Sequence, residues 1–101
     1  MNAFFLFTGS GPLVVLSSHK AIDDPLLLSK LAAKGIDKFI AHSIPIELAR
    51  SRYGQHFDVV SKDLRESDDL RVLDFDGTRA FHLFNFSEMG PPVTHEGARA
   101  R

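Results

Sequence analysis

Hydrophobic positions fall along the chain in two rhythms. Ala3 to Phe7 and Leu13 to Leu16 are continuous apolar runs of strand length, joined by Thr8-Gly9-Ser10-Gly11-Pro12, which predicts a β-hairpin with a glycine-bearing loop. Neither run alternates, so both strands need cover on both faces. Asp24-Pro25 then supplies an N-cap and a pre-set first helical position, strong helix formers follow from Leu26 to Lys34, and Gly35 provides the stop. The buried stripe of that helix is Leu27, Leu28, Leu31 and Ala32. Lys38 to Ile44 reads as a strand again, so the stretch from Leu13 to Ile44 predicts a right-handed β-α-β crossover between parallel strands.

Pro45 suits the start of a second helix, Ile46 to Tyr53. Beyond Gly54, the spacing of Phe57, Val60 and Leu64 favours a third helix, with a strand at Phe57 to Val60 as the rival. Arg65 to Asp69 is polar enough for a loop. Two Val-, Leu- and Phe-rich runs then flank Asp76-Gly77, a pair suited to the positive φ angles of a type I′ turn, which predicts a second hairpin over Leu70 to Phe86. That register sets Asp74 opposite Arg79, with Leu70, Val72, Phe81 and Leu83 on one face and Leu73, Phe75, Ala80 and Phe84 on the other. From Gly90-Pro91-Pro92 onward there is little to bury, so residues 90–101 read as a disordered tail after a single domain over 1–89.

The predicted fold is α+β, in the order β-β-α-β-α-α-β-β, a mixed sheet of about five strands with helices mainly on one face. Four of those strands are apolar on both sides, whereas three short helices cover little more than one. A two-fold homodimer is the simplest cover for the remainder, with Phe5, Phe7, Val72, Phe81 and Leu83 as interface candidates.

Composition narrows the partners. At 101 residues the chain is large enough for a core without disulfides, and its aromatic content is nine Phe, one Tyr and no Trp, which reads as packing. Twelve basic and thirteen acidic residues leave a net charge of −1, so neither nucleic acid nor an anionic membrane finds an electrostatic footprint. The absence of cysteine removes thiolate metal sites and thiol catalysis and permits a reducing compartment. The opening MNAFFLFTGSG has no basic leader, and its apolar run is too short to span a bilayer, so a cytoplasmic protein is expected.

Candidate chemistry is sparse. The segment VLDFDGT resembles the first motif of the haloacid dehalogenase-type phosphatases, which implies Asp74 as nucleophile and Asp76 as acid/base. The remainder departs from that family: the last lysine is Lys62, and Glu88 and Glu96 are the only later acids, so the downstream lysine and magnesium-binding pair are missing. The motif is therefore read as a hairpin turn and no catalytic residue is assigned. Helix, Gly54, helix suggests a DNA-reading pair, but Asp58 and Asp63 on the second helix would repel phosphates. Five scattered histidines show no metal-binding spacing, and no metal or cofactor is expected. A small-molecule site, the alternative to self-association, falls best on the loop after the second strand, at Ser18, His19 and Asp23. As a whole the chain resembles a family of small uncharacterised bacterial cytosolic proteins through IPIELARSRYGQHFDVV and DDLRVLDFDGTRAFHLF. That resemblance implies a cytoplasmic single domain and no activity.

Overall fold

The computed structural model describes residues 1–67 and 70–97, with backbone alone for 65–67. It is an α+β fold: strands β1 (Asn2–Thr8) and β2 (Gly11–Ser17), helix α1 (Pro25–Ala33), strand β3 (Phe39–Ile44), helices α2 (Ile46–Tyr53) and α3 (Gln55–Ser67), strand β4 (Leu70–Asp74), the short helix α4 (Ala80–Leu83) and strand β5 (Val93–His95). One-turn 3₁₀ segments at Gly77–Arg79 and Phe86–Glu88 flank α4.

Local chemistry accounts for the first half. Asp24 accepts the Leu26 backbone N–H at 2.9 Å and Pro25 opens α1, so the cap and the fixed proline φ start the helix where the sequence predicts. Pro45 stands before α2, and α3 is a helix rather than the rival strand, continuing through part of the expected 65–69 loop to Ser67. Residues 68 and 69 of that loop lie outside the described residues.

The sheet has the order β4-β2-β1-β3-β5 and every pair is antiparallel, not mixed. β2 and β3 do run in the same direction, but β1 sits between them, antiparallel to both. The crossover through α1 therefore spans a strand instead of joining parallel neighbours.

The predicted second hairpin does not form. Its first strand, β4, pairs with β2, and its second half is helical. A type I′ turn needs positive φ at both central residues, whereas Asp76 has φ −107° and no described non-glycine residue has a positive φ. Asp76 acts instead as an N-cap: its side chain accepts the Thr78 backbone N–H at 3.1 Å and the Thr78 hydroxyl, which starts the turn that leads into α4. Gly77 is required for a different reason, because a Cβ there would collide with the backbone of Pro12 and Leu13. Asp74 and Arg79 meet as expected, 3.4 Å apart, through a helical turn rather than across a ladder.

The fifth strand comes from the stretch read as a disordered tail. Gly90 N–H donates to the Ser43 carbonyl at 2.9 Å, and His42 Nδ1 donates to the Gly90 carbonyl at the same distance. The chain passes Pro91 and Pro92, which have no backbone N–H to give, and Val93–His95 then pair with Phe39–Ala41. Residues 98–101 lie outside the described residues.

Strand alternation gives the sheet two apolar faces. Ala3, Phe5, Val14, Leu16, Ile44 and Leu73 pack under α2, α3 and α4, while Phe4, Leu6, Val15, Phe39, Ala41 and Leu70 pack against Ile22 and the Leu27 and Leu31 stripe of α1. Three of the four α-helices among the described residues share one face, and α1 covers part of the other. The uncovered area is thus smaller than the strand pattern alone requires.

Candidate functional site

Phe5 lies at the bottom of the main surface feature. It is fully buried, so it cannot belong to an interface, yet Phe7, Phe81 and Phe86 close around it at ring-centroid distances of 4.9, 5.4 and 6.3 Å. Phe81 and Phe86 are 43% and 50% exposed, and Ile40, paired with Phe7 across β1 and β3, is 43% exposed. These side chains form a contiguous aromatic patch over the β1–β3 part of the sheet. Of the five interface candidates, Phe7 and Phe81 lie in it and Leu83 is half-buried against the same core. Val72 packs with the opposite cluster, so it shares no surface with them. Ile40 and Phe86 are members the sequence reading missed. The alternation of Phe39, Ile40 and Ala41 was the available signal for Ile40, whereas Phe86 reaches the patch only because Leu70–Phe86 does not fold as a hairpin.

A polar staple holds this patch in place. Arg52 on α2 makes a two-pronged ion pair with Glu88 at 2.6 and 2.8 Å, donates to the Leu83 carbonyl at 2.8 Å, and lies over the Phe84 ring. Glu88 also accepts the Asn85 backbone N–H at 2.9 Å. The bonds from Arg52, and then that from Asn85, pull the Glu88 carboxyl down to about 2.

The motif carboxylate, Asp74, occupies a second polar centre. It is 5% exposed and already engaged: Oδ2 accepts the Tyr53 hydroxyl at 3.0 Å and faces Arg79, while Oδ1 accepts the Asp76 N–H at 3.0 Å. This arrangement uses both oxygens to hold α2 and the following turn onto β4. Burial, then the bond to Asp74 and its charge, raise the Tyr53 hydroxyl well above the ordinary tyrosine value. The register slip between Val14 and Val15 leaves Leu73 as an extra residue on β4, and His56 Nε2 donates to its carbonyl at 2.6 Å. Arg71 donates to the Leu70 carbonyl at 3.1 Å. These two donors and the bulge blunt β4, an edge strand, against pairing with another chain.

A concavity of about 880 Å³ runs beside β4. Leu13, Ile36, Val60 and Val72 form its apolar walls, Phe75 stands at its mouth, and Lys34, Lys38, Arg71, Asp37 and Asp63 contribute its charge. The expected loop site is elsewhere. Ser18 and Asp23 are exposed, His19 is half-buried, and its Nδ1 faces Asp24 at 3.6 Å rather than Asp23. The His19 backbone is tied to the Ser17 hydroxyl and the Asn2 side chain, each at 2.9 Å, so these residues close the end of β2. The cleft beside β4 does not reach them. Among the described residues, no three His, Asp or Glu side chains converge on a point that a metal ion could occupy, and no described helix is long and apolar enough to cross a membrane.

The fold and surface thus define a five-stranded antiparallel α+β domain with an aromatic patch on one face and a cleft at one edge. Comparison with known proteins finds no matching family model, curated protein or solved structure.

Proposed function

We propose that this chain is a non-enzymatic protein that pairs with a second copy of itself through the patch formed by Phe7, Ile40, Phe81 and Phe86. The observation that carries the reading is the exposure of Phe81 and Phe86 while both are held in fixed contact with the core. Rings fixed before association lose little conformational freedom on binding, and central aromatic clusters dominate the energetics of many interfaces. A second copy suits the patch electrostatically: the patch side chains are uncharged, the adjoining Arg52 and Glu88 neutralise one another, and the net chain charge is only −1. Two-fold pairing buries identical patches against each other without like-charge repulsion. A cysteine-free chain suits a reducing compartment, which supports a cytoplasmic site of action.

Sedimentation across a dilution series tests the proposal. Wild-type protein is expected at twice the monomer mass, and Phe81→Glu and Phe86→Glu, both at exposed positions, are expected to give folded monomers. A wild type that is monomeric at every concentration overturns the reading, as does a dimer unaffected by either substitution.

A further inference from the structure

The cleft beside β4 is separate from the aromatic patch and has its own chemistry. We propose that it binds a medium-chain aliphatic carboxylate, with the hydrocarbon along Leu13, Ile36 and Val72 and the carboxylate at Lys34 and Lys38.

Size and lining come first. A volume of about 880 Å³ lies within the range of roughly 300–1,000 Å³ usual for small-molecule sites. Leu13, Ile36 and Val72 are only partly buried where they back onto the α1-side core, and Val60 faces the same cleft from α3. Four aliphatic walls suit a hydrocarbon chain better than a planar polar ligand. Phe75 supports this independently. It is 85% exposed at the cleft mouth, the most exposed large apolar side chain among the described residues, and a bound chain gives its ring something to cover.

Charge then selects the head group. Lys34 and Lys38 belong to the segment after α1 and are both exposed, so their stems line the rim while the ammonium groups reach solvent. Between them in sequence, the Asp37 carboxylate lies against Gly97, where an added Cβ would come within 3.0 Å of it. The opposite wall carries both signs, Asp63 and Arg71, and Arg71 is already engaged with the Leu70 carbonyl. The excess positive charge therefore sits at the Lys34 and Lys38 end. A peptide adding as a strand is disfavoured by the donors from Arg71 and His56 that occupy carbonyls of β4.

The test is an amide-shift titration of the full chain with sodium decanoate below its micellar range, and with decyltrimethylammonium as the cationic counterpart. Decanoate is expected to give saturable shifts at Leu13, Ile36, Val72 and Phe75. Lys34→Glu with Lys38→Glu is expected to weaken binding by roughly tenfold or more while the chain stays folded, since both positions are exposed. The cationic amphiphile is expected to give no saturable shift. Absence of saturable decanoate shifts, shifts confined to Phe81 and Phe86, equal binding of the two amphiphiles, or undiminished binding by the charge-reversed variant each overturns the proposal.

Discussion

Asp74 shows how surroundings decide what a carboxylate does. In the segment VLDFDGT it has the sequence context of a nucleophile, but in the fold it receives Tyr53, faces Arg79 and caps its own turn. Its work is to fix the position of α2 over β4. Removing the phenol hydroxyl leaves a buried acceptor short of a partner, so Tyr53→Phe is expected to cost about 1–2 kcal/mol in urea unfolding. The sign with pH follows from the raised Tyr53 value. The neutral phenol is favoured in the fold, so its contribution is fully present below the unfolded-state value near 10 and is lost as pH rises through the higher folded value. Tyr53 is the sole tyrosine, so phenolate absorbance reports it directly. Ionisation is expected only at pH above the ordinary range or together with unfolding; a folded chain titrating near 10 would contradict the Tyr53–Asp74 bond.

At the scale of elements, legibility tracks how local the deciding interaction is. The start of α1 was readable because Asp24 and Pro25 act on the backbone beside them. Asp76-Gly77 was misread because its residues serve two local structures equally well, a type I′ turn and an N-cap followed by a helical turn. The choice falls to β4 pairing with β2 and to the close backbone approach at Gly77, neither of which is a property of the segment. The 3₁₀–α4–3₁₀ stretch that results closes its own turns, with the Phe84 N–H donating to the Ala80 carbonyl and the Met89 N–H to the Phe86 carbonyl, and it is tied to α2 through Arg52 and Glu88. Because the folded Glu88 value is depressed, the ion pair contributes fully above the ordinary value of 4.5 and is lost as pH falls toward about 2. The wild-type thermal midpoint is therefore expected to fall more steeply across that window than that of Glu88→Gln. Parallel curves for the two proteins would show that the staple does not hold the segment.

For the whole molecule, the deciding fact is that the sheet is a middle layer. Leu27 and Leu31 are fully buried, so α1 is an integral cover of the second face. Leu27→Ala is expected to cost about 2–5 kcal/mol by denaturant unfolding, as for other large-to-small changes in a packed core. A loss below about 0.5 kcal/mol, the range of surface substitutions, would mean that α1 is only loosely laid on the sheet. The same layering leaves the exposed Phe81 and Phe86 and the cleft beside β4 on separate surfaces.

Caps, prolines and hydrophobic period act over a few residues, so the α+β class, the first hairpin, and the presence of α1, β3, α2 and α3 are legible in the chain. Long-range packing placed β1 between β2 and β3, made a strand of the Val93 segment, and brought Phe86 and Ile40 to one surface with Phe7 and Phe81. Those outcomes depend on pairings between residues far apart in the chain, where many registers satisfy the same local pattern and only simultaneous burial of both sheet faces selects one.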